Sequence, residues 1–206
     1  MASITAPVGR RERKKAATRQ ALSEAALRLF LERGFDDVTV REIADAADVS
    51  TTTLMKHFAT KEALVFDLDD EIERSLVAAV SERPAKTSVL EALRRYVRAR
   101  VERAMSGKRT AEFMNLVLAT PALSDYWRKM WMRHEQVLAR VLADELGRAE
   151  GDAWCSAMAH FILEASAFPA RSDDAVGMLD AAFDILEHGW RRSMLMRPQR
   201  TRGKQK

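Results

Sequence analysis

The sequence predicts an all-α protein, with short helices before about residue 60 and longer ones after it. Three observations carry that expectation. Apolar residues recur at spacings of three and four along most of the chain, the period of a helix that buries one face. Capping signals stand at the starts of several of these runs. Nothing alternates with period two over a useful length, and Asn-Gly and Asp-Gly hairpin turns are absent. Eight glycines and five prolines among 206 residues leave few helix breakers.

The elements follow in order. Leu22, Ala25, Ala26, Leu29 and Phe30 form one helical face, and Gly34 follows Arg33 where a left-handed cap favours glycine. Thr39 and Glu42 make a capping box, with Val38 and Ile43 as the hydrophobic staple, and Val40, Ile43, Ala44 and Ala47 face inward. Asp48-Val49-Ser50 breaks that helix, and Ser50 caps a third from Thr51 to Phe58 with Leu54 and Phe58 inward. Thr60 is expected to cap a fourth, with Leu64, Val65, Leu68, Ile72 and Leu76 as its stripe, running to about Arg83. Ser88 and Glu91 form a second box before Leu90, Leu93, Val97 and Val101, and that helix ends near Gly107.

Phe113, Met114, Val117 and Leu118 make a shorter segment stopped by Thr120-Pro121. Trp127, Met130, Trp131, His134, Val137, Leu138, Val141 and Leu142 share one face, closed by Gly147. Asp152 caps a helix bearing Met158, Phe161, Ile162 and Ala165. Asp173 or Asp174 starts the last, with Val176, Leu179, Ala182, Phe183, Leu186 and Trp190 inward. The domain organisation read from this is 10–62, then 63–196, then a basic tail at 197–206.

Charge is modest overall, +4, but unevenly placed. Arg10, Arg11, Arg13, Lys14, Lys15 and Arg19 crowd the N-terminal end against Glu12 alone, and the last residues carry seven cations from Arg191 to Lys206 with no acid. Such arms are favourable near phosphate, although charged termini are also commonly solvated and disordered. Cys155 is the single cysteine, which fits a reducing compartment. With no apolar core ahead of the basic run and no apolar stretch of ~18–20 residues, a soluble cytoplasmic protein is expected.

Three short helices, two of them joined by a tight three- to four-residue break, have the layout of a helix-turn-helix at about 39–58. The helix from Thr39 would set the angle of the helix from Thr51, whose outer face carries Thr51, Thr52, Thr53, Met55, Lys56 and His57. Threonine hydroxyls suit bases and phosphates alike, and threonine methyls suit thymine methyls. Lys56, His57 and Lys61 are placed to neutralise phosphates.

The string Phe35-Asp36-Asp37-Val38-Thr39-Val40-Arg41-Glu42-Ile43-Ala44, with Ala47-Asp48-Val49-Ser50, Thr53-Leu54-Met55-Lys56-His57-Phe58 and Lys61-Glu62-Ala63-Leu64, resembles the N-terminal domain of TetR-family regulators. The resemblance covers residues 19–64. It implies that Thr39, His57 and Lys61 contact phosphate and that Thr51 to Lys56 belong to a recognition helix; Arg41 and Ser50 are further candidates for the DNA-binding surface. Two positions depart from the family pattern: Asp48 stands where glycine is usual, and Met55 where tyrosine is usual. A thioether cannot donate the phenol's hydrogen bond. The resemblance further implies a helical C-terminal domain that dimerises through its last two helices and encloses a small-molecule pocket.

Phe113, Met114, Trp127, Met130, Trp131, Met158 and Phe161, with Phe168 nearby, are the candidates for that pocket. Adaptable methionines and flat aromatics suit an apolar or amphipathic ligand, and they equally suit a plain helical core. Ile162, Phe183, Leu186 and Trp190 are the candidates for the interface of a homodimer, which would read a palindromic operator in double-stranded DNA. His160 with Glu164, and Asp184 with His188, share helix faces at i, i+4, yet neither pair has a third ligand at recognisable spacing, so no metal or cofactor is expected. The rival readings are a regulator without a ligand and a helical-bundle enzyme. The sequence holds no Gly-rich phosphate loop, nucleophile elbow or zinc-protease helix.

Overall fold

The computed structural model describes residues 9–106, 110–166 and 174–195. Among them are nine α-helices, one short 3-10 helix and no strand. Two compact units form, one from Met1–Ile72 with Arg109–Met130, the other from Glu73–Lys108 with Trp131–Lys206. The functional boundary read at 62/63 remains an expectation. By packing, α6 (Thr110–Ala119) and the first part of α7 (Pro121–Leu146) lie with the N-terminal unit.

In the first unit, α1 (Arg10–Arg33) begins inside the basic run, so these cations ride on a helix. The helix buries Leu22, Ala25, Ala26 and Phe30, and Gly34 at φ 89 donates to the Phe30 carbonyl at 2.9 Å. Helix α2 (Val40–Ala46) starts at the Thr39 capping box, and α3 (Thr51–His57) starts at Ser50, whose hydroxyl accepts from the Thr53 amide at 3.1 Å. Leu22, Ala26, Phe30, Val38, Ile43, Ala44, Leu54, Phe58 and Leu64 are all buried and form this unit's core. Helix α6 (Thr110–Ala119) packs on α1. There Phe66 stacks on Tyr126 at 5.3 Å and meets Phe113 edge-on at 6.1 Å.

The fourth helix departs from expectation. Thr60 accepts from the Ala63 amide at 3.3 Å, but only a 3-10 turn, Glu62–Leu64, follows, and α4 spans Asp69–Ser81. The reason lies on α1. Ser23 donates its hydroxyl to the Leu64 carbonyl at 3.2 Å, and Arg19 donates to the Asp67 carbonyl at 3.0 Å. These carbonyls are acceptors that a continuous helix would use for itself. Leu68, expected inward, is accordingly exposed.

The second unit packs Leu76 and Val80 of α4 against Leu93, Val97 and Val101 of α5 (Val89–Ser106) and Leu138 and Leu142 of α7 (Pro121–Leu146). Cys155, Ala159 and Ile162 of α8 (Ala153–Glu164) and Leu179 and Phe183 of α9 (Ala175–Leu195) complete the core. Burial raises the Cys155 thiol above its ordinary range, so it is a small apolar core residue rather than a reactive one. Arg94 and Arg98 of α5 bond the Asp180 carboxylate at 3.0–3.1 Å, and Arg94 also reaches Asp184, tying α5 to α9. His160 bonds Glu135 at 3.0 Å, and the His188 ring meets the Asp184 carbonyl oxygen at 3.1 Å. No helix among the described residues is long and apolar enough to cross a membrane.

One strained position tests the turn between α2 and α3. Asp48 sits at φ 52, the left-handed region. A side chain there costs about 1–2 kcal/mol, less for Asp. Asp48→Gly is therefore expected to stabilise the protein by about 0.5 kcal/mol, and Asp48→Val to destabilise it. Urea denaturation of the three proteins measures the order.

Candidate nucleic-acid interface

The surface of interest is built from α2, the four residues Ala47 to Ser50, and α3. Thr39 anchors the start. Its hydroxyl donates to Glu42 Oε2 at 2.7 Å, Glu42 accepts the Thr39 amide at 2.8 Å, and Arg33 reaches the same carboxylate at 2.8 Å. Together these hold the Glu42 carboxyl down at about 2. The turn closes as the Val49 amide donates to the Ala44 carbonyl at 3.0 Å, with Asp48 at positive φ between them.

On α3 the inward residues are Leu54 on the helix and Phe58 directly after it, both buried. That leaves Thr51, Thr52, Met55 and Lys56 exposed on one outer face, with Thr53 and His57 half-buried at its flank. Thr53 shares a hydroxyl bond with Ser50 at 2.9 Å, so both help fix the helix start before they meet anything else. Arg41 projects from α2, with a long contact to Asp45 at 3.9 Å. Met55 is 47% exposed, an apolar side chain held in water at the centre of a polar face.

Two of the expected phosphate-binding residues are partly engaged within the domain. Lys61 donates to the Phe35 carbonyl and lies over the Phe35 ring at 4.2 Å. Burial holds its ammonium below the ordinary lysine range, against the pull of Asp36 and Glu62. The His57 carbonyl accepts from Arg19 at 2.8 Å. Burial, then the nearby Arg19 and Lys15, keep the His57 ring below its ordinary pKa. Arg19, which sequence reasoning left within the N-terminal arm, also lies over the Phe58 ring at 4.3 Å. Only its place four residues after Lys15 on a helix face hinted at that role.

The pocket candidates separate. Phe113, Met114 and Trp127 are half-buried and Met130 is buried, all in the first unit. Trp131 and Met158 are half-buried against the core of the second unit. Phe161 is 56% exposed, on the surface of its unit rather than among the core residues. Among the dimer candidates the burial is the reverse. Ile162 and Phe183 are fully buried in the core of their own unit, and Leu186 packs against it. The side chain of Trp190, Phe168 and the tail at 197–206 lie outside the described residues.

A short helix braced by a second across a four-residue turn, with hydroxyls and a cation on its free face, defines a helix-turn-helix DNA-binding domain. Residues 22–68 match the family model described as bacterial regulatory proteins, tetR family. The chain is 34% identical over 146 residues to the HTH-type transcriptional regulator TcmR of Streptomyces glaucescens, a match spanning 68% of this chain and 65% of TcmR. It is 29% identical over 119 residues to the HTH-type transcriptional regulator RutR of Escherichia coli, spanning 57% of this chain and 56% of RutR. Each match thus spans less than two thirds of that relative's length. Among solved structures, the TetR-family repressor FadR of Thermus thermophilus, in complex with lauroyl-CoA, is similar with a TM-score of 0.53 and 25% identity. That similarity covers 90% of this chain and all of that one. Residues 22–68 are thus a DNA-binding domain of the tetR type, and the relatives that the chain aligns with are named as transcriptional regulators.

The outer face of α3 generates two expectations. Thr52→Ala and Lys56→Ala should each weaken binding to a duplex recovered by in vitro selection while leaving helicity unchanged. Loss of a base contact costs about 1–3 kcal/mol and alters the selected sequence. Loss of a phosphate contact weakens all sequences alike. Unchanged affinity in both variants would remove this face from the interface. His57 supplies the second. If its ring meets a phosphate, DNA reverses the depressed pKa, so binding takes up a proton and tightens as pH falls from 7.5 to 6. Titration of the His57 ring by NMR, free and bound, reads the upward shift, and an equal pKa in both states contradicts the contact.

Proposed function

We propose that the protein is a cytoplasmic, homodimeric repressor that reads a palindromic operator through α3 of each copy and is released by an apolar or amphipathic small molecule. The observation that carries the DNA-reading part is the free face of α3, with Thr51, Thr52, Met55 and Lys56 exposed on a helix anchored from behind by Leu54 and Phe58. A single short helix reads too few base pairs to select a genomic site, which favours two copies on half-sites about one helical turn, ~34–36 Å, apart or a multiple of it.

The second copy has a surface to meet. Trp154 and Phe161 on α8, and Met178 and Ile185 on α9, are large apolar side chains left exposed, each pair seven residues apart on its helix. Such stripes are normally covered. They replace Ile162 and Phe183 as the residues proposed to cross the two-fold. Phe161→Glu with Ile185→Glu should convert a sedimenting dimer into a folded monomer that binds operator poorly. A dimer that persists would place the interface elsewhere.

For the ligand, the support is chemical. Trp131 and Met158 in the second unit, and Phe113, Met114 and Trp127 in the first, stay half-buried rather than fully packed. The similar FadR structure holds lauroyl-CoA, an amphipathic molecule. A ligand that weakens operator binding a hundredfold needs ~2.7 kcal/mol of preference for the non-operator conformation, and operator must weaken ligand binding by the same factor. Titrating acyl-CoAs of graded chain length while following tryptophan fluorescence, with and without operator, tests this. Quenching by a compound that binds equally well in both cases would favour a regulator without a switch. Met158→Trp is expected to give a repressor that still binds operator but is no longer released.

A further inference from the structure

We propose that the basic face of α1 is a phosphate-binding strip that extends contact with DNA beyond the helix-turn-helix. The inference rests on α3 facing DNA, and adds a surface which that reading does not require. Arg11, Lys15 and Arg19 stand four residues apart, so they follow one another along one side of α1 at steps of roughly 6 Å. Arg19 fixes where that side lies. Its guanidinium donates to the His57 carbonyl at 2.8 Å and lies over the Phe58 ring, so this side of α1 runs up to the C-terminal end of the recognition helix. Lys15 is near enough to act, with Arg19, on the charge of the His57 ring. Arg11 and Lys15 therefore continue, away from α3, the cationic edge that Lys56 begins.

The arrangement is unfavourable by itself. Arg10, Arg11, Arg13, Lys14 and Lys15 are exposed, and none forms an ion pair among the described residues. They occupy the first turns of a helix, where the macrodipole favours acids, and Glu12 is the only acid there. Gly9 provides no side-chain cap for the free amides. Mutual repulsion, the dipole and the missing cap all oppose this end of α1, and a polyanion lying along it relieves the repulsion and the dipole together. The phosphate backbone flanking the base pairs that α3 reads is such a polyanion, and it is close by because Arg19 joins the two helices.

Contacts of this kind are independent of sequence, so the test needs no operator. Binding of the full chain to a 40-base-pair mixed-sequence duplex is measured between 50 and 300 mM salt, for wild type, Arg11→Gln with Lys15→Gln, Arg11→Lys with Lys15→Arg, and Lys56→Gln. Each phosphate neutralised contributes about 0.9 to the slope of log affinity against log salt. The charge-removing pair should flatten the slope by about 2 per bound subunit, and the charge-keeping pair should leave it at the wild-type value. Circular dichroism checks that total helicity is kept, as expected because glutamine is a good helix former. A flattened slope in Lys56→Gln with a wild-type slope in the charge-removing pair would overturn the strip and leave the α3 reading standing. Absence of binding by wild type at 50 mM salt would overturn both.

Discussion

A helix of seven residues does not persist alone in water, so the direction in which α3 points depends on what holds its inner side. Leu54 and Phe58 hold it. Both are buried, as are Leu22, Ala26 and Phe30 of α1, Ile43 and Ala44 of α2, and Leu64, which make up the core of the same unit. Ala26 and Ala44 are small, which suits helices that approach closely. The polar and cationic outer face has meaning only because this inner face has one place to go. The turn before it accepts Asp48 at positive φ, the cost of bringing α3 back across α2 in four residues.

Arg19 extends the same constraint past the end of α3. With one guanidinium it bonds the His57 carbonyl, bonds the Asp67 carbonyl and covers Phe58. With Ser23 it takes backbone acceptors that would otherwise continue a helix from Thr60, and the chain turns through Glu62–Leu64 before α4 begins at Asp69. Any movement of α1 is therefore felt at the end of the recognition helix through hydrogen bonds rather than loose packing. In the second unit, the bonds from Arg94 and Arg98 to Asp180 and Asp184 link α5 and α9 in a comparable way.

What was legible in the sequence was local. Thr39 with Glu42, Ser50, Asp152, Gly34 and Gly147 act within a few residues of themselves, and each stands at an end of the helix it marks. The outer face of α3 was equally legible, because Leu54 and Phe58 leave one choice of inner side. The break at 62–68 was not, since its cause is a pair of donors some forty residues away on α1. Helix α8 misled for another reason. Trp154, Cys155, Ala157, Met158, Ala159, Phe161, Ile162 and Leu163 are apolar nearly all round, so periodicity could not separate the core side from the open one. The structure turns Ile162 inward and leaves Phe161 outward. Seven residues along α9, Met178 and Ile185 form an outward pair that the sequence reading passed over in favour of the buried Phe183.

The central claim is that the α3 face, set by Leu54 and Phe58, is the surface that meets DNA. Hydrogen–deuterium exchange of the full chain, with and without a selected duplex, addresses it without any substitution. Slowed exchange in peptides covering residues 39–57, with the buried centre of α5 unchanged, is the predicted result. Protection that falls elsewhere while peptides covering 50–57 exchange at the free rate would contradict it.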